Sequence, residues 1–570
     1  MCCWKCEWTI PRGVKHNCRA QKLVFQVIEN QGYPMNSVRR TCTIFLFAAS
    51  IAVSATSVQA APTQAESFAF RMAVAESAGT TPEIASFYRE QEFAPIWVGP
   101  TSDHAARRSA LIKALSHAQM HGLPAERYDV DGLMAKMQSA RSNRDLGALE
   151  AALSEAFVRY AQDIQSGLLR PAQIDAGLVR AVERKPASDH LAAMMKSTDG
   201  SYLAQLPPQS SQYRALLKQK MALQSLNEHG EWGPTVPTGK YERGDTGPSV
   251  IKLRNRLVAM GFLKPTASPE YDDSMVAAVQ AFQRAHGLEP DGVAGQGTIA
   301  EINRSPSDRL KAVMVAMERE RWLPRERGAR HVLVNQADFS AKIVDDGRVT
   351  FETRAVIGKN TSDRQSPEFS DVMEHMVINP SWHVPRSIIT KEYLPKLRAN
   401  PNAVRHLEIT DRRGRQVNRN AVDFNQFTAR SFPFAMRQPP GQSNALGLVK
   451  FMFPNKYNIY LHDTPQKSLF AREVRAFSHG CIRLAQPFDF AYALLAKQEE
   501  DPKAFFHRVL GTGRETKVDL KQPVPVHLIY RTAFVGPKGD VQYRRDVYGR
   551  DQKIWDALQK AGVALPNVQG

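Results

Sequence analysis

One histidine and one cysteine toward the C-terminus have the types and spacing of a catalytic pair. His462 precedes Cys481 by nineteen residues, and Cys481 is the last of six cysteines, with no other after Cys42. A thiol is mostly protonated at neutral pH, so it needs a nearby proton acceptor before it attacks an acyl carbon. An imidazole can accept that proton because its ordinary pKa lies near neutrality. The pair therefore predicts a nucleophile and its base; the alternative is a buried, inert thiol.

The flanking sequence predicts how these two side chains meet. Residues 456–461 have strand character, and the spacer that follows resembles a loop. We expect His462 to end one strand and Cys481 to begin the next. Gly480 carries no Cβ, so backbone N–H groups beside the thiol could approach an acyl group and form an oxyanion hole. His479 either orients a neighbouring group or is structural.

A mainly-β region surrounds the pair. Short alternating apolar runs begin at His331, and Asp345-Asp346-Gly347 predicts a hairpin turn between two strands. Further strands are predicted within 376–385, 448–462 and 523–534, and a helix within 487–497. Residues 387–446 are richer in Arg, Asn and Pro. An insertion this long inside a β domain predicts a lid or binding loop.

Helices are predicted throughout residues 67–230, where apolar side chains recur every three or four positions. These positions are Leu111, Leu115, Ala118, Leu149, Leu153, Phe157 and Tyr160. The histidines of this region lack the paired spacing of a zinc site, so we expect a scaffold. A Gly-, Pro- and Thr-rich joint at 233–240 then leads to a compact three-helix pattern at 241–304.

The three-helix pattern resembles the peptidoglycan-binding module that is appended to many cell-wall enzymes. Its FQxxxGLxxDGxxGxxT signature is carried by Phe282, Gln283, Gly287, Leu288, Asp291, Gly292, Gly295 and Thr298. No predicted strand precedes the glycines, which argues against a dinucleotide-binding loop. The alternative for this module is a small helical spacer that binds nothing.

The motifs around the catalytic pair resemble the L,D-transpeptidase catalytic domain, a β-rich cysteine acyltransferase fold that acts on peptidoglycan. His462 followed by Ser478-His479-Gly480-Cys481 carries the resemblance. The longer motifs ERERWLP, NPSWHVPRSI, RQPPG, NALG and KFMFPNKYNIYLHDTP are similar to a large subfamily with a helical scaffold, a wall-binding module and a lid. The resemblance implies an α+β multidomain chain. Its expected parts are an all-α scaffold domain at 67–230, a three-helix peptidoglycan-binding-like domain at 241–304, a mainly-β catalytic domain at 329–551 with a capping insertion at 387–446, and a C-terminal tail at 552–570.

The same resemblance implies a reaction. Cys481 would attack the diaminopimelate carbonyl of a tetrapeptide stem and expel the terminal D-alanine, while His462 transfers the proton. The side-chain amine of another stem's diaminopimelate would resolve the thioester and give a 3→3 cross-link. The residues expected beside the oxyanion are Tyr460, Gly480, His479 and Ser478. Those expected at the substrate are Trp382, Arg483 and Asn444, although core packing is an alternative for Trp382 and Tyr460. No metal and no organic cofactor is needed, and carbapenems are expected to acylate the thiol.

The start of the chain predicts export. Arg39-Arg40, an apolar segment at 43–55 and Val58-Gln59-Ala60 are the three parts of a secretory signal peptide. Residues 1–60 would then be leader and signal, with Met35 as an alternative start, and the mature protein would lie in the periplasm. An uncleaved signal would instead anchor the chain to the membrane, although the apolar segment is short for a membrane span.

The charge and the expected compartment limit the partners. A formal charge of +18 favours a polyanionic neighbourhood, and export excludes nucleic acid in favour of anionic wall peptides. The expected partners are peptidoglycan stem peptides, as tetrapeptide donor and diaminopimelate acceptor, with other wall-synthesis enzymes as further candidates. Two alternative functions stay open: a cysteine L,D-carboxypeptidase that hydrolyses the stem to a tripeptide, and a non-catalytic wall-binding or regulatory protein.

Overall fold

The computed structural model describes residues 64–79, 81–230, 232–324, 326–536 and 539–565. The predicted leader and signal peptide lie outside these residues. The described chain has helices in its N-terminal half and a mainly-β region in its C-terminal half, which confirms the expected α+β multidomain class. None of the described helices is both long and apolar enough to cross a membrane.

The N-terminal region of the described chain is helical. Its helices are α1 Gln64–Ala78, α2 Pro82–Glu90, α3 Ser102–Ser116, α4 Val130–Ser139, α5 Asn143–Ser166, α6 Pro171–Ile174, α7 Ala187–Lys196, α8 Tyr202–Gln205 and α9 Ser211–His229. The long α5 begins with a capping box, in which the side chains of Ser142 and Asp145 accept from each other's backbone N–H groups. The apolar positions predicted from Leu111 to Tyr160 are all buried in one core. This burial confirms the predicted helix faces.

The next module has its own small core, and its signature residues hold a turn together. Its helices, and the helix that leaves it, are α10 Pro248–Ala259, α11 Asp273–Ala285, α12 Gln296–Ile302 and α13 Pro306–Trp322. The Gln283 amide donates to the Asp291 carboxylate (2.7 Å) and the Thr298 hydroxyl (3.2 Å), and it accepts from the Gly292 N–H (2.9 Å). Four signature residues therefore stabilise this turn through their hydrogen bonds to one another.

Helix α13 carries charged side chains into the interior, where each has a partner. Arg319 lies 2.8 Å from the Glu368 carboxylate and 3.1 Å from that of Asp551. Arg321 lies 2.7 Å from Glu318 within the helix. A buried charge that loses its partner costs several kcal/mol, so the two Arg319 pairs hold α13 against the segments that contain Glu368 and Asp551.

A closed sheet forms the C-terminal region in which His462 and Cys481 lie. The strands of the described chain are β1 Arg330–Asn335, β2 Ser340–Asp345, β3 Arg348–Gly358, β4 Phe369–Ile378, β5 Trp382–His383, β6 Glu408–Thr410, β7 Ala435–Gln438, β8 Val449–Met452, β9 Leu461–His462, β10 Ala476–Ser478, β11 Ile482–Leu484, β12 Thr516–Ile529, β13 Ala533–Val535 and β14 Val541–Tyr543. The main sheet runs β10-β3-β11-β9-β8-β4-β12-β1-β2, and β2 also pairs with β3, so the sheet closes on itself. The β2–β3 hairpin turns at Asp346 and Gly347, whose φ angles of +48° and +78° confirm the predicted turn.

The predicted insertion folds as a capping subdomain with its own core, called the lid below (residues 382–446). One helical segment runs as α14 Arg386–Ile388, a π-helical turn at Ile389–Tyr393, and α15 Leu394–Ala399. A small sheet of order β5-β7-β6 completes the lid. The lid sheet begins at Trp382, before the predicted boundary, because Trp382 and His383 pair with β7.

The predicted C-terminal tail (552–570) is folded over the part that the structure describes, which ends at residue 565. The remaining helices are α16 Pro487–Leu495, α17 Pro502–Leu510 and α18 Arg550–Lys560. Helix α18 buries Ile554, Trp555 and Leu558 in a core shared with α13 and α9. The apolar residues recur at helical spacing and find a partner surface on α13, so the segment folds instead of extending into solvent.

Replacing Glu368 with glutamine should test the buried ion pairs. The Glu368 side chain is 3% exposed and faces both Arg319 and Arg550. In Glu368→Gln the two buried guanidiniums lose a charged partner. We therefore expect the free energy of unfolding to fall by about 3–5 kcal/mol. Urea unfolding followed by intrinsic fluorescence measures the effect.

The matched control for this substitution is Glu76→Gln, which removes the exposed partner of Arg144. We expect this control to change the free energy of unfolding by less than about 1 kcal/mol. Equal shifts of the urea midpoint for Glu368→Gln and Glu76→Gln would contradict the role given to the buried pairs.

Candidate active site

Strands β9 and β11 place His462 and Cys481 on the same face of the sheet. The two strands pair in parallel, with Ile482 opposite Leu461 and Arg483 opposite His462. Leu461 and Ile482 are fully buried in the sheet core. Because side chains alternate between the two faces of a strand, their neighbours point the other way. His462 therefore lies beside Arg483, and Cys481 lies on the same face just before β11.

A tight turn holds the thiol in position. The Ser478 hydroxyl donates to the Cys481 carbonyl (2.6 Å) and accepts from the Gly480 N–H (3.1 Å). The Ser366 hydroxyl donates to the Gly480 carbonyl (2.6 Å). Gly480 has φ +119°, and a Cβ there would lie 3.1 Å from Ile459. Ser478 thus fixes the turn by its hydrogen bonds to both Gly480 and Cys481.

The expectation that the Gly480 backbone helps to form an oxyanion hole is corrected by these contacts. The Gly480 N–H is already used by the Ser478 hydroxyl (3.1 Å), so it is not available to a substrate oxygen. What the glycine supplies is the left-handed backbone that the turn requires.

The Cys481 thiol is uncharged at neutral pH in this arrangement. Burial raises its pKa to about 11, opposed by the backbone N–H and hydroxyl of Tyr460 and by the charge of Arg483. The thiol donates to the Asn458 carbonyl at 3.5 Å. Among the hydrogen bonds of the described residues, none joins the thiol to His462. The resting form of Cys481 is therefore the thiol and not the thiolate.

The His462 imidazole is also uncharged. It is 4% exposed, and burial followed by the nearby Arg483 charge lowers its pKa to about 3. Its Nδ1 lies at hydrogen-bond distance from the Asp463 carbonyl. Because a carbonyl only accepts, Nδ1 must carry the proton, which leaves Nε2 with the lone pair of a base. The Asp463 and Leu446 carbonyls would stabilise the imidazolium once it forms.

The end of the lid is fixed to the same histidine loop. The Asp463 carboxylate accepts from the Leu448 N–H at 2.9 Å. Gly447 has φ +61°, and a Cβ there would lie 2.2 Å from the Asp463 carboxylate. Only glycine fits at this close approach. Asp463 therefore positions His462 through its backbone and the lid through its side chain.

Tyr460 stands beside the thiol and contacts both cores. Its ring packs against the sheet core and against the lid core. Burial raises the pKa of its hydroxyl, and the hydrogen bond and charge that a Cys481 thiolate would bring raise it further. The side chain therefore combines the core packing that we left open with a hydroxyl and an N–H directed at the sulfur.

His479 faces the lid rather than the thiol. Its Nε2 lies 2.6 Å from the Glu392 carboxylate, which belongs to the π-helical turn of the lid. Arg364 reaches the same carboxylate at 2.8 Å, and Lys391 pairs with Asp363 at 2.8 Å beside it. These two carboxylates and their partners, called the latch below, join the lid to His479 and to the loop between β3 and β4. Nothing in the local sequence pattern distinguished Glu392, since the contact joins residues far apart in the chain.

The three residues predicted at the substrate have different surroundings. Trp382 is 8% exposed and packs in the lid core, with its ring edge-on to Tyr393. Asn444 is fully buried, and its amide donates to the carbonyls of Pro380 and Pro439, so it shapes the lid loop. Substrate contact by either side chain stays a prediction. Arg483 remains on the Cys481 face, where its Nε is buried with no hydrogen-bond partner.

Three stretches of the chain match known families. Residues 82–219 match the family described as "Scaffold domain", and residues 246–302 match "Putative peptidoglycan binding domain". Residues 329–526 match the "L,D-transpeptidase catalytic domain". The matches confirm the family resemblance drawn from the sequence and place the Cys481 site in the last of these three domains.

Individual relatives cover part of the chain. A protein of Haemophilus influenzae named "Putative L,D-transpeptidase" is 32% identical over 237 residues, which are 40% of this chain and 47% of that protein. The chain thus spans about half the length of this curated relative. L,D-transpeptidase crystal structures from Xylanimonas cellulosilytica (17% identity, 52% of this chain, 98% of that chain, TM-score 0.16) and Stackebrandtia nassauensis (14%, 52%, 97%, 0.21) are also similar.

The pH dependence of thiol alkylation should report the raised pKa of Cys481. Because burial raises that pKa to about 11, the thiol is the main form from neutral pH to about pH 10. The thiolate fraction, and with it the rate of iodoacetamide alkylation, should rise about tenfold per pH unit over this range. Intact mass measures the rate, with glutathione as a reference thiol. A plateau below about pH 8 would instead indicate a preformed thiolate–imidazolium pair.

The latch should control access to the thiol. Glu392→Gln weakens the contacts with His479 and Arg364, so the lid should open more often and Cys481 alkylation at neutral pH should become about twofold to fivefold faster. The matched control is Glu408→Gln, which breaks a carboxylate–Arg437 pair inside the lid. If both variants react at the parent rate, Glu392 does not hold the lid closed.

Proposed function

We propose that this chain, whose residues 329–526 belong to the L,D-transpeptidase catalytic-domain family, forms 3→3 cross-links in peptidoglycan through a thioester on Cys481. The observation that carries the proposal is the placement of the only thiol of the described residues beside His462 and Tyr460, on a sheet face covered by the lid. A nucleophile, a base and a hydrogen-bond donor at the sulfur are the groups that acyl transfer needs.

The first half of the reaction makes the thioester. Nε2 of His462 accepts the thiol proton as the Cys481 sulfur attacks the diaminopimelate carbonyl of a tetrapeptide stem. The developing oxyanion forms next to the sulfur, where Tyr460 presents its hydroxyl and N–H. The imidazolium then donates its proton to the leaving amine, the C–N bond breaks, and D-alanine departs.

The second half transfers the acyl group. The side-chain amine of a second stem's diaminopimelate attacks the thioester carbonyl, His462 removes a proton from that amine, and the proton returns to the departing sulfur. Arg483 is suited to hold a stem carboxylate, because its buried Nε has no partner and a carboxylate oxygen would satisfy it. This chemistry uses only side chains of this chain.

Burial favours a transferase over the alternative carboxypeptidase. His462 is 4% exposed, Cys481 is partly buried, and Tyr460 beside them packs against the lid core, so we expect the lid to restrict the access of bulk water to the thioester. An amine that enters with a bound stem can compete with water under such a cover. The reaction also places the protein where peptidoglycan is found. The predicted signal peptide would deliver it to the periplasm, with stem peptides as its partners.

Product analysis tests the proposal. Purified protein mixed with tetrapeptide-bearing muropeptides should yield dimers that have lost one D-alanine, seen by mass spectrometry. Cys481→Ala should reduce these dimers to background, because no other described residue supplies a thiol. Glu408→Gln, which changes a lid contact remote from the sulfur, serves as a control that should retain activity. Tripeptide monomers as the main product would support the carboxypeptidase, and dimers from Cys481→Ala would contradict the assigned nucleophile.

A further inference from the structure

Three neighbouring strands place a row of three side chains across the sheet face that carries His462. The antiparallel pair β8–β9 sets Lys450 opposite His462, and the parallel pair β9–β11 sets Arg483 opposite the same histidine. Phe451 and Leu461, the next opposed pair of β8 and β9, are fully buried in the sheet core. Because side chains alternate between the faces of a strand, Lys450 lies on the other face, with the histidine. The base therefore stands between two cationic side chains.

The Lys450 ammonium can accommodate another anion. The Lys450 side chain is 16% exposed, and its one carboxylate neighbour within ion-pair distance among the described residues is Glu515, 4.0 Å away. That distance is too long for a hydrogen bond, and the Glu515 side chain is 37% exposed to solvent. Among the hydrogen bonds of the described residues, none involves this ammonium. Burial lowers the pKa of Lys450, opposed by the charge of Glu515, so a closer anion would stabilise the charged form of the lysine.

The two cations act on the histidine between them. Burial lowers the pKa of His462 most, and the charges of Arg483 and Lys450 lower it further. Anions bound to these two cations would offset their repulsion of the imidazolium as it forms. Carboxylates of a substrate would therefore assist the proton transfer as well as the binding.

The groups of a tetrapeptide donor stem follow one another in an order that matches the strands. The scissile carbonyl meets Cys481, the leaving nitrogen meets His462, and the terminal D-alanine carboxylate lies one residue beyond the scissile bond. Strand β9, which carries the histidine, lies between β11 and β8 in the sheet. As seen from the thiol, the strand beyond the histidine is therefore β8, about 4.8 Å farther on, and Lys450 is the cation that it carries.

We propose that Lys450 binds the terminal D-alanine carboxylate of the donor stem, while Arg483 faces the carboxylate on the diaminopimelate side chain. This inference rests on the proposed function, because it assigns one end of the same donor stem. Lys450 then orients the leaving group so that its nitrogen faces Nε2 of His462. It also selects stems whose last carboxylate lies one residue past the scissile bond.

Equilibrium binding to the full chain carrying Cys481→Ala tests this assignment without turnover. The probes are a tetrapeptide stem with free carboxylates, the same stem ending in D-alaninamide, and the same stem amidated on the diaminopimelate side chain. The Cys481→Ala chain should bind the D-alaninamide stem about tenfold more weakly than the free stem, because a charge-assisted contact is lost. Adding Lys450→Met should weaken binding of the free stem by the same factor and leave binding of the D-alaninamide stem unchanged. The loss caused by diaminopimelate amidation should be equal in both proteins.

Two further variants of the Cys481→Ala chain serve as controls. Lys450→Arg keeps the charge and should restore the preference for the free stem over the D-alaninamide stem. The matched control is Lys517→Met, which removes a lysine from the same row of the sheet, two strands beyond Lys450. Lys517 already pairs with Asp519 at 2.7 Å, so its loss should leave the preference between the two stems as it was.

Three outcomes would overturn the assignment. Equal affinity for the free stem with and without Lys450→Met would remove the lysine from the binding site. An equal loss for the free and D-alaninamide stems would show that Lys450 supports the structure, with Glu515 as its partner, and does not contact the terminal carboxylate. A Lys450→Met chain that no longer distinguishes the free stem from the diaminopimelate amide would assign the lysine to the other carboxylate.

This inference and the proposed function can fail separately. Dimer formation by the parent, together with stem binding that is indifferent to Lys450→Met, would overturn only the role of Lys450. A preference for the free stem that depends on Lys450, without any dimer formation by the parent, would overturn only the cross-linking function.

Discussion

The parallel pairing of β9 with β11 is the constraint on which the site depends. Leu461 and Ile482 are driven into the sheet core, and each carries its neighbours to the opposite face. Because of this alternation, His462 and Cys481 lie on the same face of the sheet although nineteen residues separate them in sequence. A slip of one residue in the register would bury one of the two side chains on the wrong side.

Burial sets the electrostatic state of this surface. It raises the pKa of the Cys481 thiol to about 11 and lowers the pKa of the His462 imidazole to about 3, so neither carries charge at rest. A resting thiolate would react with many electrophiles, whereas a neutral pair becomes reactive only when a carbonyl is in place and the proton can move. The Glu392 latch and the Asp463 anchor hold the lid at two separate points.

Local sequence patterns predicted the elements and their order better than the contacts between them. Apolar spacing identified the scaffold helices, and Asp346-Gly347 identified a hairpin, because both are local properties of the backbone. The neighbouring positions of His462 and Cys481 followed from two short strands joined by a loop. The buried pairs of α13 and the latch at Glu392 join residues far apart in sequence, so no local pattern encodes them.

Several motif residues show why a motif does not reveal the structural role of each side chain. Asn444 and Trp382 belong to motifs of the family, yet the structure uses both to shape and fill the lid. The Gly480 N–H is taken up by Ser478, and the segment after residue 551 continues α18 into a core that the sequence pattern did not connect to it. A motif residue can be required for the fold of a site without touching its ligand.

The acyl-enzyme is the species that tests the central claim most directly. Full-length protein would be mixed with a tetrapeptide stem in the absence of an acceptor, quenched in acid within seconds, and measured by intact mass with peptide mapping. The predicted result is a mass increase equal to the stem minus D-alanine, located on the peptide that contains Cys481. Turnover with Cys481 unmodified at every quench time, or an adduct on a different residue, would contradict the thioester mechanism.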